Sequence, residues 1–388
     1  MAKGTKKWET QEVVELVEAV IGESQHAATT GSVAAATVGI VGARDLRLHR
    51  IGASMAAQMG LVPKHATKQV DRFLSFSKID LEAAQAALCG YLLAGKERIV
   101  VAMDWTEFDD DDQSTLCIYL LSEHGRALPL LWKSVVKSNL KNNRTRHELE
   151  LAKRLASLVP SDVEIILLAD RGFGYQELFR LLHELGIDFV IRVRSNIQLT
   201  SSDGQQKTTG EWVTPSGRAR RLDDVRITAD GCELCTFVAV HDKKMKSPWL
   251  LVSSLGSSTR AIIKLYGKRF TIEETFRDQK DNRFGLGLSA THIGTPHRRD
   301  RLLLLCALAY MFIVTLGQAG EDAGLDRLLK VNTSKTRQLS LFNQGLRWLE
   351  MLDTMRDEWK QPLLEAFMRR IRAQDFGVLV IEHLLDGK

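Results

Sequence analysis

Cysteine is scarce in this chain: the five residues Cys89, Cys117, Cys232, Cys235 and Cys306, among 388, fall short of the dense, even-numbered set of a secreted disulfide scaffold. A reducing cytoplasm is the expected home. The opening residues, MAKGTKKWETQEVVELVEAV, lack the long apolar core and small-residue cleavage site of a secretory signal. The most apolar stretch, LLLLCALAYMFIVTL at residues 302–316, is shorter than the roughly 20 residues a membrane span requires, so it reads as a buried core helix and no membrane partner is expected. No internal repeat or low-complexity tract is visible. Charge of one sign is also in short supply, with a formal net charge of only +5, but local Arg/Lys clusters favour a polyanionic partner over a membrane surface. With 44% hydrophobic residues, the chain can bury the core of two or three globular units.

Residues 12–93 read as helical throughout, with breaks near Gly31, Gly60 and Pro63, so residues 1–95 are expected to form an all-helical domain. Within it, Lys64, His65, Lys68 and Arg72 follow Pro63 at helical spacing, as on a DNA-facing helix or an ordinary solvated face. From Arg98 the runs RIVVAMD, STLCIYLLS and ALPLLWKSV suggest an antiparallel meander. There follow a helix carrying His147, Leu149, Leu151, Leu155 and Leu158, a strand at 163–169, a helix near 175–185 and a strand at 189–194. This alternation implies a mixed sheet covered by helices, an α/β architecture, over residues 96–195. Residues 196–255 turn polar and glycine-punctuated, with strands suggested at 235–240 and 249–252, and read as a β-rich insertion. Helical pattern resumes over 258–280 and again from 300, so residues 256–320 read as the remainder of the α/β core, and 321–388 form a mostly helical C-terminal region.

Two strands, VVAMD and IILLAD, each deliver an aspartate, Asp104 and Asp170, at the end of an apolar run, where α/β sheets place their sites. Either one alone could be a helix cap or turn former. A third acid comes from the helical segment LYGKRFTIEETFRDQK. At about 100° per residue, Tyr266, Arg269, Glu273, Arg277 and Lys280 share one stripe, and Glu274 lies off it. A solvent-facing row of ion pairs, with Glu273 between Arg269 and Arg277, would show the same pattern. Three carboxylates suit two divalent ions roughly 3.5–4 Å apart that stabilise the entering and leaving oxygens of a phosphodiester. Oxygen ligands of this kind select Mg2+, for which Mn2+ is expected to substitute. In that arrangement Asp104 bridges the ions and Asp170 and Glu273 each complete one, while Arg269, Arg277, Lys280 and Tyr266 grip neighbouring phosphates.

The MDWT element at Asp104, the LADRGFG element at Asp170 and the Y-x2-R-x3-E-x6-K spacing of Tyr266, Arg269, Glu273 and Lys280 resemble the insertion-sequence-four family of DDE transposases, over roughly residues 64–317. The resemblance implies a ribonuclease H-like core whose last acidic residue follows a β-strand insertion, with Asp104, Asp170 and Glu273 as catalytic, metal-holding residues. It further implies a helical N-terminal domain that recognises DNA ends, a C-terminal region that supports dimerisation, and cut-and-paste release through a hairpin. Trp249 matches the tryptophan that stacks on a flipped base, with a buried core tryptophan as the alternative. Arg192 matches a strand arginine that contacts DNA, with pairing to a nearby acid as the alternative. Tyr266, Arg269 and Lys280 hold phosphates of the same strand. The implied partners are double-stranded transposon ends and target DNA, bound by a homodimer on the bacterial nucleoid. A nuclease without strand transfer and a non-catalytic DNA-binding relative remain as rivals.

Other features read more plainly. The acidic run at residues 109–112 reads as a solvated turn. Cys232 and Cys235 form a single CxxC without the second pair that a zinc site needs. The basic stretches at 141–146, 218–221 and 297–299 could track phosphates or be ordinary surface.

Overall fold

A computed structural model describes residues 8–75, 79–228 and 231–380, apart from the side chains of residues 233 and 235. Five helices come first: α1 (Trp8–Ile21), α2 (Ala27–Ala43), α3 (Leu48–Met59), α4 (Pro63–Ser75) and α5 (Leu81–Leu93). The meander β1 (Arg98–Phe108), β2 (Gln113–Leu121) and β3 (Ala127–Val136) follows, then α6 (Arg144–Leu158), β4 (Glu164–Ala169), α7 (Gln176–Glu184) and β5 (Asp188–Arg192). The insertion supplies β6 (Gln198–Thr200), β7 (Gln206–Thr208), β8 (Arg220–Ile227), β9 (Cys232–Val240) and β10 (Trp249–Ser253). The chain closes with α8 (Thr259–Gly267), α9 (Thr271–Lys280), α10 (Pro296–Asp322), α11 (Leu341–Met351) and α12 (Asp357–Arg372).

All ten strands lie in one sheet ordered β3-β2-β1-β4-β5-β10-β9-β8-β6-β7. β1 pairs antiparallel with β2 and parallel with β4, which pairs parallel with β5, so the first five strands have the order of a ribonuclease H-like core. Helices cover both faces there, which is why β2 is buried at every position and, after Gln113, Ser114 and Thr115, reads as an unbroken apolar run from Leu116 to Leu121 rather than an alternation. The insertion does not fold away from this core. Its strand β10 pairs antiparallel with β5 and carries β9, β8, β6 and β7 outward as an extension of the same sheet.

The apolar run at 302–316 lies inside the 27-residue α10, whose residues from Leu302 to Gly320 are all buried. The helix is long and apolar enough to cross a membrane, but its most apolar window is wholly buried within the protein, packed between β3, α2, α11 and α12. Its approach to α11 is backbone-close: a Cβ on Gly317 would stand 1.9 Å from the Leu341 carbonyl oxygen, and one on Gly345 1.9 Å from that of Ile313. The N-terminal helices share this core. Trp8 of α1 packs its ring 6.1 Å from Phe312 of α10 and 5.2 Å from Phe367 of α12. Arg301 donates to the Leu74 carbonyl at 2.7 Å, and Arg44 pairs with Glu350 at 2.8 Å.

α4 buries Ala66, Val70, Phe73 and Leu74 and leaves Lys64, His65, Lys68 and Arg72 exposed on the opposite face. The acidic run at 109–112 is a turn held from within. Asp109 pairs with Lys137, Asp111 with Arg299, and Asp112 accepts from the Ser138 amide at 3.0 Å. Several of the basic residues are likewise engaged internally. Arg298 pairs with Asp71 at 2.6 Å, Arg221 with Asp223 at 2.7 Å, and Arg299 is fully buried. Cys232 is buried, and the side chain of its CxxC partner Cys235 lies outside the described residues.

Candidate active site

Asp104 and Asp170 leave neighbouring parallel strands at the same level. Met103 is in register with Ala169, so the next residues on β1 and after β4 are the two aspartates, on strands about 4.8 Å apart. Each carboxylate is oriented by a local amide: Asp104 Oδ1 accepts from the Trp105 N–H at 2.8 Å and Asp170 Oδ1 from the Gly172 N–H at 2.8 Å. Burial pushes the Asp104 carboxyl up to about 6; the Arg269 guanidinium opposes this, and the charges of Asp170 and Glu273 add to it.

Glu273 comes from α9, which is fastened to the meander by its buried face. The Thr275 hydroxyl accepts from the Ala127 amide at 2.8 Å, Asp278 accepts from Arg126 Nε at 2.5 Å and from the Tyr310 hydroxyl at 3.0 Å, and Gln279 accepts from the Tyr119 hydroxyl at 3.0 Å. This fastening sets the opposite edge of the helix, with Glu273, over the end of β1. Arg269 joins the two: its guanidinium donates to Asp104 Oδ2 at 3.2 Å and to Glu273 Oε1 at 2.6 Å. The Arg269 side chain is 6% exposed, that of Asp104 20% and that of Glu273 48%.

The single helical stripe expected from Tyr266 to Lys280 needs correction. A 3-10 turn at Lys268–Phe270 separates α8 from α9 and changes the angular advance between Tyr266 and Glu273. Glu273 and Arg277 both lie on α9, so that turn leaves their spacing unchanged, yet Arg277 points outward, 67% exposed, and pairs with Glu274 at 2.9 Å rather than with Glu273. Tyr266 is fully buried, and among the described residues its hydroxyl has only the Arg269 guanidinium close by, so in this placement it presents nothing to a phosphate. Lys280 donates to the Glu107 carbonyl at 2.6 Å and to the Thr106 hydroxyl at 3.1 Å, with its ammonium 4.6 Å from the Phe108 ring centroid. Both side chains support the floor of the site.

Trp249 is half-buried at the start of β10 and belongs to an aromatic cluster. Its ring meets Tyr266 edge-on at 5.0 Å and lies nearly parallel to Phe270 at 5.8 Å, with Phe270 38% exposed. The Arg269 guanidinium sits 4.5 Å from the Phe270 centroid. Arg192, in register with Leu251, donates to Ser247 Oγ and to the Pro248 carbonyl, both at 2.8 Å, and so holds the approach to β10.

Sequence reasoning missed two residues here. Phe270 was hidden by the assumption of an unbroken helix. Glu148, 2% exposed, lies on the buried face of α6 with Leu151, Ala152 and Leu155. An acid in phase with that apolar stripe was the available signal; the chosen phase, His147 and Leu149, was one residue off.

Among the described residues no three acidic, histidine or cysteine side chains already stand together as an ion cage. The donors nevertheless suit a divalent cation. They are hard carboxylate oxygens, Asp104 is desolvated beside two like charges, and one arginine alone spans Asp104 and Glu273. Residues 133–312, just under half of the chain, match the family description of the transposase DDE domain; the match includes Asp170 and Glu273 and begins after Asp104. No curated protein matches the chain.

Proposed function

We propose that the protein is a DDE transposase of the insertion-sequence-four type, which cleaves the phosphodiester at transposon ends and transfers the freed 3′ end to target DNA. Asp104, Asp170 and Glu273 are its catalytic carboxylates, and they hold Mg2+, or Mn2+ in its place. One observation carries the reading: two aspartates at matched ends of adjacent parallel strands, and a helical glutamate that shares a single guanidinium with one of them. When bound, the ions supply Lewis acidity at the attacking and leaving oxygens.

The chain's own groups do the rest. The Trp105 and Gly172 amides fix one oxygen of each aspartate, and each carboxylate keeps lone pairs for ligation, although Asp104 Oδ2 also accepts from Arg269. Arg269 gives Glu273 a cationic partner beside the site and offers the scissile phosphate a planar donor. Trp249 and Phe270 form an apolar platform on which an unpaired base at the cleaved end stacks during hairpin formation. The exposed cations of α4 grip the end duplex, and two subunits act together on two ends.

Terminal-repeat DNA incubated with the protein and Mg2+ is expected to acquire a nick with a 3′ hydroxyl and then a joined product, and neither without the metal. A pre-cut end that is never joined identifies a nuclease instead, and end binding without nicking identifies a non-catalytic relative. Either result sinks the proposal.

A further inference from the structure

Glu148 is a carboxylate that the reaction above does not use, yet it stands directly behind the site. β1 presents Asp104 and Thr106 toward α9 and the 3-10 turn before it, where Lys280 and Arg269 meet them, so Trp105 between them faces the other side of the sheet, toward α6. There Glu148 Oε1 accepts from Trp105 Nε1 at 2.7 Å and Oε2 accepts from the Tyr175 hydroxyl at 2.7 Å. Trp105 immediately follows Asp104. Tyr175 ends the loop that begins with Asp170 and leads into α7. Arg144, one turn earlier on α6, closes over the other face of the Trp105 ring at 4.8 Å and pairs with Glu107 at 3.1 Å.

This arrangement is costly if it serves stability alone. Burial raises the pKa of Glu148 despite its two hydrogen bonds and the nearby Arg144 guanidinium, which oppose the rise, and the Asp170 charge adds to it. An apolar residue of similar size, in phase with Leu151 and Leu155, would remove the buried charge but leave Trp105 Nε1–H and the Tyr175 hydroxyl without their acceptor. What the carboxylate alone provides is one acceptor for each of two donors on different elements. It thereby ties the segment after Asp104 to the segment after Asp170.

We propose that Glu148 is a positioning residue: a two-pronged strut beneath the sheet that holds the ends of β1 and β4 at the spacing at which Asp104 and Asp170 ligate the same pair of ions. This rests on the transposase reading. It goes beyond that reading in assigning the spacing of the two aspartates to a residue that touches neither metal nor DNA.

The substitutions Glu148→Gln, Glu148→Ala and Tyr175→Phe separate strut from charge. A glutamine keeps both links, with its oxygen accepting from Trp105 and its amide donating to the Tyr175 oxygen. An alanine keeps neither, and the tyrosine change removes one. Three quantities are measured on the full chain: the nicking rate on terminal-repeat DNA, gel-shift binding of that DNA, and Mn2+ affinity of the DNA-free protein from the electron paramagnetic resonance of unbound Mn2+. Glu148→Ala is expected to lower nicking and Mn2+ affinity by about 10-fold or more with end binding unchanged, a loss typical of groups that orient metal ligands. Tyr175→Phe should fall between Glu148→Ala and the wild type, and Glu148→Gln should recover to within about threefold of the wild type.

Wild-type levels of both nicking and Mn2+ affinity in Glu148→Ala would overturn the strut. So would a glutamine variant as impaired as the alanine one, since the charge would then be what matters. If the alanine variant does not fold, the glutamine and phenylalanine variants decide by the same criteria. A wild-type protein that never nicks its DNA sinks the transposase reading instead, and the Mn2+ affinities then judge the strut without it.

Discussion

Replacing Arg269 with methionine tests how the carboxylates are held before any metal arrives. Methionine keeps an unbranched apolar chain beside Tyr266 and Phe270 and removes the guanidinium that lies over their rings and spans Asp104 and Glu273. Stripping one partner from a fully buried pair costs about 3–5 kcal/mol. Here the carboxylates are 20% and 48% exposed, so water recovers part of that, above all at Glu273, and about 2–3 kcal/mol at pH 8 is the expected loss. The sign of the pH dependence follows from Asp104. Its pKa of about 6 lies between pH 5 and pH 8, so at pH 5 the carboxyl is protonated and the arm to Arg269 no longer joins two charges. The loss should then shrink to about 1–2 kcal/mol, from an ordinary hydrogen bond to Asp104 and the half-exposed pair with Glu273. Urea unfolding of both proteins without divalent ions, at the two pH values, gives the comparison. A loss equal at pH 5 and pH 8 would refute the reasoning, because it would assign Arg269 a packing role alone.

Two further predictions lie outside the site. Asp300, pushed up to about 7 chiefly by burial and opposed by the Ser134 amide that donates to it at 2.8 Å, favours its protonated form in the folded state. Its stabilisation is therefore full below the unfolded value of 3.8 and is lost as pH rises through about 7. Asp300→Asn keeps the acceptor for Ser134 and should raise the melting temperature at pH 8 by a few degrees and by clearly less at pH 5, where only part of the window between 3.8 and about 7 has been crossed; an equal shift at both pH values would contradict this. On α4, Lys68→Ala with Arg72→Ala should weaken end binding and lower the slope of log affinity against log salt by about 2, from two lost phosphate contacts. An unchanged slope would place the DNA elsewhere.

Much of this was legible in the chain itself. The apolar runs that end at Asp104 and Asp170 announced buried strands, because parallel strands covered on both faces leave no polar alternation. The meander and the β-rich insertion were legible for the same local reasons. That the insertion extends the core sheet through β10 was not, since strand pairing over such distances depends on register that no local pattern carries. The 3-10 turn at Lys268–Phe270 was equally invisible: nothing in KRF breaks a helix, and tertiary packing of Arg269 and Tyr266 sets the local pitch. Arg277 left the stripe for a different reason: it lies about 40° round α9 from Glu273, on the side of Glu274, and pairs there instead. Glu148 escaped because helical periodicity looks for apolar residues on the inner face, and an acid there reads as the edge of the stripe.

The central claim is that Asp104, Asp170 and Glu273 act as one metal-holding group, and the nicking rate of three single variants tests it most directly. Asp104→Asn, Asp170→Asn and Glu273→Gln should each abolish Mg2+-dependent nicking of terminal-repeat DNA while gel-shift affinity for that DNA stays near wild type, because only ligating charge is lost. Nicking that persists in any one of the three would remove that residue from the site and contradict the account.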